Sequence, residues 1–193
     1  MPRTFVLYGG TALALRTGSR QSEDFDFFTN DPVDAHQLSA SLSFLAGARL
    51  IQAAPSTATF LVERVEPVKV SFLGGLVLGR VGEPSVATDT GVQVASLLDL
   101  AAQKVRVVQV RAERKDYLDL ATLLGQGVTL ARALGAAQAL YPEFEPLVSL
   151  KALSYFGDGD LEALSDAVRR TLTTAVAEVG SVEVVALLSD HLV

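Results

Sequence analysis

At 193 residues and 49% hydrophobic side chains, the chain can hold one large domain or two small ones and is apolar enough to pack a core. The absence of cysteine excludes disulfides, thiolate zinc sites and cysteine nucleophiles together, and a net charge of -6 argues against broad non-specific nucleic-acid binding. Arg, Asp, Gly or Pro interrupts every apolar stretch before the roughly 18 residues a membrane span needs, and MPRTFVLYGG is too short and glycine-punctuated for a signal peptide, so the expected location is the cytosol.

In chain order, residues 4–8 (TFVLY) read as a buried strand, Gly9-Gly10 as a tight turn, and 11–17 as a short helix stopped by Gly18. Residues 24–28 (DFDFF) read as a second strand. The segment 34–47 is expected to be one helix with Leu38, Leu42 and Leu45 on one face, begun by the Asp31-Pro32 turn. Strands follow at 49–53, 58–65 and 68–73, the last two forming a hairpin across Glu66-Pro67. A loop over 74–91 has strand-like pieces around Val77 and Val86. From Val92 the composition turns rich in Ala and Leu. Helices are expected at 92–109, 113–124, 129–141, 143–155 and 160–171, with a last helical region beyond. The spacing thus predicts an α+β protein: a mixed β-sheet domain with flanking helices at 1–91 and a C-terminal helical bundle at 92–193.

The chemistry-bearing stretch of the first half is GSRQSEDFDFF. In a strand side chains alternate, so Asp24 and Asp26 share one face, about 6.6–7 Å apart at Cα, and Phe25 and Phe27 the other. Two ionised carboxylates this close repel, and a divalent cation between them is the natural compensation; Mg²⁺ in particular takes one or two carboxylates plus water and substrate phosphates. Ser22 shares that face if the strand extends back. A bare Asp-x-Asp is equally the pattern of an edge strand with a solvated polar face. The Gly9-Gly10 pair at a helix start adds backbone N–H groups able to approach an anion, although a plain turn has the same signature. Neither GxxxxGK[ST] nor GxGxxG is present.

In the helical half, the helix neighbours of Lys104 are Leu97, Leu100, Ala101, Val107 and Val108, all apolar. Two readings fit such a lysine: it snorkels to solvent, or it meets an anion such as a triphosphate or Asp116. Asp116 has Ala112 and Leu120 four residues to either side and is expected to face inward, with Asp119 one turn on. Lys104, Arg106, Arg111, Arg114 and Lys115 cluster into a basic stretch, read either as a solvated connection or as a contact for nucleotide or RNA backbone. The two histidines, His36 and His191, are far apart in sequence and are expected at the surface or at a cap; Ser154, Tyr155 and Phe156 are expected to pack the helical core.

GGTALALRTGSRQSEDFDFF resembles the opening motif of the DNA polymerase β-like nucleotidyltransferase superfamily, and within it most closely that of the AbiEii/AbiGii toxins of abortive-infection and type IV toxin–antitoxin systems. The match runs through Gly9, Gly10, Thr11, Ser22, Asp24 and Asp26. QKVRVVQVRAERKDYLDLATLL resembles the family's Lys, Arg and Lys-Asp-x-x-Asp-Leu helices, and SLKALSYFGDGDLE its Leu-x-Tyr-Phe-x-Asp signature. The resemblance implies a nucleotidyltransferase-like fold and a Mg²⁺-dependent transfer of NMP from an NTP to a hydroxyl, on the 3′ end of tRNA or on a protein such as a cognate antitoxin. It implies Gly9, Gly10, Thr11, Ser22 and Lys104 on the nucleotide, Asp24 and Asp26 on the metal, and Asp24, Asp26, Lys104 and Asp116 as catalytic; outside the matched motifs, Lys69 is a further expected phosphate contact. Because family members often carry a helix before the first strand, it also implies a start upstream of Met1.

The chain departs from that pattern in one place. Such enzymes usually bring a third carboxylate from a later strand, expected here in PVKVSFL, whose outward positions are Lys69, Ser71 and Leu73. Ser71 stands where an aspartate is expected, and neither Glu63 nor Glu66 has a clear strand phase to replace it. Two further functions are therefore open beside the toxin reading: a nucleotide-binding or antitoxin-interacting protein of the same fold with impaired catalysis, and a small-molecule nucleotidyltransferase of the antibiotic-modifying kind.

Overall fold

The structure, a computed structural model, describes residues 1–18, 22, 24–88 and 90–193. The chain divides into two compact units, Met1–Ala95 with Ser189–Val193, and Ser96–Leu188.

The first unit is built on a mixed sheet. Its strands are β1 (Val6–Tyr8), β2 (Phe25–Phe28), β3 (Arg49–Ala54), β4 (Thr57–Val62), β5 (Val68–Leu73), β6 (Ser85–Val86) and β7 (Gln93–Val94), in the order β3-β4-β5-β2-β1-β7-β6. β2 runs antiparallel to β1 and parallel to β5, while β1 runs parallel to β7. Alternation along the strands produces the core: Phe27, Phe72, Phe5 and Phe60 pack with ring centroids 5.4–6.5 Å apart. Aromatic rings at these separations prefer edge or offset contacts, which adds to the apolar area they bury.

Helix α1 (Gly9–Thr17) follows β1 directly, and α2 (Ala35–Ser41) precedes a single 3-10 turn at Ser43–Leu45. The glycine pair is thus not a separate turn but the first two residues of α1. Gly18 ends that helix in the left-handed region, its N–H bonded to the Ala14 carbonyl, as a glycine cap does. The helix expected over 34–47 is shorter: Asp34 caps its start by accepting from the Gln37 N–H, but Leu42 is extended. Ser39, Ser41 and Ser43 weaken the helix there, and the Ser41 hydroxyl donates back to the Leu38 carbonyl. Leu38, Leu42 and Leu45 are nonetheless all buried. Val77, expected in a strand, is fully exposed outside any strand.

Residues 92–95 do not begin a helix. Gln93 and Val94 pair with Val6 and Leu7, and α3 (Leu97–Val107) starts only after Ser96, whose hydroxyl accepts from the Asp99 N–H. Arg16, at the end of α1, donates to the carbonyls of Val94 and Ala95.

The second unit contains α3, α4 (Arg114–Gly125), α5 (Leu130–Leu140), α6 (Pro146–Ala152) and α7 (Asp166–Ala177), with a 3-10 turn at Leu161–Ala163. Pro146 sits in the first turn of α6, where its missing N–H costs nothing, and sets a later start than the expected 143. Ser165 caps α7, so the fifth expected helix is split into a turn and a helix. Of the last helical region only 172–177 is helical, as the end of α7; β-branched residues in SVEVVALL disfavour a helix beyond it. Instead Glu183 lies against α5, its N–H bonded to the Ala131 carbonyl. A Cβ at Gly135 would come 1.8 Å from the Glu183 carbonyl oxygen. Gly135→Ala is therefore expected to cost about 1–3 kcal/mol in urea unfolding, since backbone must move to admit one methyl group. Among the described residues no single helix is long and apolar enough to cross a membrane.

Candidate active site

The geometry starts where β1 becomes α1. Tyr8 lies opposite Asp26 in the β1–β2 pair, so the residue after Tyr8 enters the helix beside the Asp26 carboxylate. Gly9 has φ +70, and a Cβ there would meet Asp26 Oδ2 at 2.7 Å. Both facts require glycine: only it takes this dihedral without strain and lets backbone come this close. The N–H groups of the first helical turn, which have no partner within the helix itself, include those of Gly9, Gly10 and Thr11. Gly9→Ala is expected to displace the Asp26 carboxylate and lower the activity of this site by about 100-fold, read in a single-turnover assay.

Thr11 is buried, and its hydroxyl donates to the Asp24 carbonyl. The Ser22 hydroxyl lies 2.9 Å from the same Thr11 oxygen. A hydroxyl carries one proton, so Ser22 supplies the donor in that second contact. These bonds tie the start of α1 to the chain just before β2. Asp24 itself is one residue ahead of the strand expected to contain it. Residues 19–21 and 23 of the motif lie outside the described residues.

On the other side of β2 the register with β5 sets Asp26 beside Ser71 and Phe27 beside Phe72. β4 then pairs Thr59 with Ser71, their hydroxyl oxygens 3.5 Å apart. A row of Tyr8, Asp26, Ser71 and Thr59 thus crosses the sheet. Thr59 was not singled out from the sequence, although counting back through the β4–β5 hairpin from Ser71 reaches it. Lys69, two residues before Ser71 on the same face, places Nζ 2.8 Å from Asp24 Oδ2. Hydrogen bonding to Asp24 raises the Lys69 pKa against a smaller effect of burial, and the charges of Asp24 and Asp26 raise it further. Glu63 and Glu66 are exposed in the β4–β5 connection.

Among the described residues no group of three His, Cys, Asp or Glu side chains is placed to hold a metal ion. Two carboxylates beside a helix N-terminus nevertheless fit Mg²⁺, which needs few protein ligands when water and phosphate oxygens complete its octahedron. They fit a metal that arrives with a triphosphate, not one caged by protein alone.

In the second unit, Lys104 is buried and does not snorkel: Nζ lies 2.7 Å from Asp116 Oδ1 and 2.6 Å from Asp119 Oδ2. Arg111 reaches the other Asp116 oxygen at 2.8 Å. Burial works to raise the Asp116 pKa, but hydrogen bonds and charges from Arg111 and Lys104 outweigh it and hold the carboxyl below the usual range. The expected basic surface is largely paired within the chain, with Lys115 on Glu113 and Arg106 over the Tyr141 ring. Ser154 and Tyr155 are exposed rather than in the core; short-range turns after α6 point them outward, and only Phe156 packs, edge-on to Tyr117. Both histidines are exposed.

A mixed sheet with a glycine-started helix beside Asp26 of β2, and Asp24 just ahead of that strand, defines a nucleotidyltransferase-like fold, and solved structures agree. The chain superposes on a candidate nucleotidyltransferase from H. pylori with TM-score 0.58 and 19% identity, covering 91% of this chain and 85% of that one. It also superposes on an antigenic nucleotidyltransferase-like protein from Paracoccidioides brasiliensis, with TM-score 0.54, 16% identity and coverage of 94% and 86%. The chain belongs to the AbiEii family, the nucleotidyl transferase AbiEii toxins of type IV toxin–antitoxin systems, whose model matches residues 2–183. It is 31% identical over 165 residues, 84% of its length, to an uncharacterized protein of Aquifex aeolicus, of which 78% is covered. Membership of this nucleotidyltransferase toxin family implies a nucleoside triphosphate substrate, typically a divalent metal ion, and a cognate antitoxin.

Proposed function

We propose that the protein transfers a nucleoside monophosphate from an NTP, taken up with Mg²⁺, to a hydroxyl at the 3′ end of tRNA in the cytoplasm. The approach of Gly9 to Asp26, with Asp24 and Lys69 alongside, is the observation that carries this reading. Gly9, Gly10 and Thr11 offer first-turn N–H groups to the triphosphate, Ser22 orients Thr11, and Lys69 faces the phosphate charge. Asp24 and Asp26 hold the metal, whose contribution is to neutralise charge on the reacting phosphate. The acceptor oxygen bonds to the α-phosphorus, the bond to the β-phosphate breaks, pyrophosphate leaves, and one proton passes to water. Such transfer is chiefly positioning plus electrostatic stabilisation, so few residues suffice. Lys104 and Asp116 are assigned to the same reaction on their match to the family's helices.

Incubation with each α-labelled NTP, Mg²⁺ and total tRNA is expected to label tRNA. A lysate arm separates a protein hydroxyl, such as one on the antitoxin, from RNA; no label in any arm would refute transfer. Ser71 beside Asp26 favours a second reading, nucleotide binding without turnover. Stabilisation by NTP·Mg²⁺ with no pyrophosphate release would establish it.

A further inference from the structure

In the sheet row that crosses the site, Ser71 occupies the place beside Asp26 from which a third carboxylate would reach the metal. The carboxylate is missing, but a cation is present. Lys69 comes from the same strand and the same face, with its ammonium on Asp24 at 2.8 Å. We infer that Lys69 is the second cation of this site, a fixed positive charge that holds Asp24 and faces the nucleotide, so that the protein binds one divalent ion and not two. The inference rests on the nucleotidyl-transfer reading and adds how that site is charged.

The ligand set argues for it. Among the described residues no third carboxylate joins Asp24 and Asp26 to bridge a pair of ions. Two-ion centres depend on shared carboxylates to hold both ions roughly 4 Å apart, and one oxygen of Asp24 is already taken by an ammonium. An ammonium at hydrogen-bond distance supplies similar neutralisation without needing ligands of its own. Lys69 is in these terms a positioning residue for Asp24 and a counter-charge for phosphate.

The bland alternative is an exposed cross-strand ion pair, the two side chains being 43% and 50% accessible, and such pairs contribute little to stability. Stability therefore does not discriminate, but ion stoichiometry and nucleotide affinity do. Mn²⁺ bound per chain is to be counted by electron paramagnetic resonance in the presence of each non-hydrolysable α,β-methylene triphosphate, for the full chain and for Lys69→Met and Lys69→Arg. One Mn²⁺ per chain is expected, with nucleotide affinity lowered about 10-fold in Lys69→Met and restored in Lys69→Arg. Two ions in the unsubstituted protein, or a Lys69→Met variant that binds as tightly as the parent, would overturn the inference and leave nucleotidyl transfer standing. Failure of the parent to bind any nucleotide with Mn²⁺ would overturn both.

Discussion

Asp26→Asn is expected to reduce labelling of tRNA by about 1000-fold while leaving the protein folded, because it removes a charge at the reaction centre and almost no volume. Asp26 lies beside Ser71 on β2, with the Gly9 backbone against its carboxylate, so the amide fits the same space. The same substitution also takes a favourable charge away from the Lys69 ammonium, so thermal stability has to be read beside activity. Thermal melts beside the labelling assay therefore separate lost chemistry from lost fold. Activity of Asp26→Asn within 10-fold of the parent would remove Asp26 from the metal site.

The largest effect on stability is expected at Asp116. It is fully buried between Lys104 and Arg111, and truncating one member of a buried ion pair leaves charge in a low-dielectric interior. Asp119 still holds Lys104 in Asp116→Ala, which places the loss near the lower end of the usual range, at about 3 kcal/mol in denaturant unfolding. Replacing the pair together, Lys104→Met with Asp116→Leu, is expected to recover much of that, since neither charge is then buried alone. The pH dependence has a definite sign. The Asp116 pKa in the folded protein lies below its ordinary 3.8, so its contribution is fully present above that value and disappears as the pH falls through the folded-state pKa. An Asp116→Asn variant should show a shallower loss of stability below about pH 4 than the parent.

Much of this was legible in the sequence where periodicity is strong. The alternation in DFDFF fixed which residues of β2 turn inward, and Phe27 is buried beside Phe72 as period two requires. Lys104 on an apolar helix face left two readings open, snorkelling or an inward anion, and its contacts with Asp116 and Asp119 decide for the second. Short elements were not legible. Gln93-Val94 is a two-residue strand continuous with a helical pattern, and only its pairing with β1 distinguishes it from a first helical turn. The serine-rich end of α2 and the late start of α6 depended on local competition and on proline, which shift boundaries without altering which leucines face the core. At the candidate site, the phases of Lys69 and Ser71 could be read from VKVSFL. Their adjacency to Asp24 and Asp26 could not, because it depends on a parallel pairing of strands some forty residues apart in sequence.

The path of the chain carries a temporal consequence. Ser189 bridges to Arg80, and the buried Leu192 donates its N–H to Asn30, so residues 189–193 complete the unit that holds Asp24 and Asp26. During synthesis the ribosome must pass through all of residues 96–188 before that closing segment emerges. The aspartates are translated early, yet the unit that holds them takes in residues 189–193 only after the helical unit has been made.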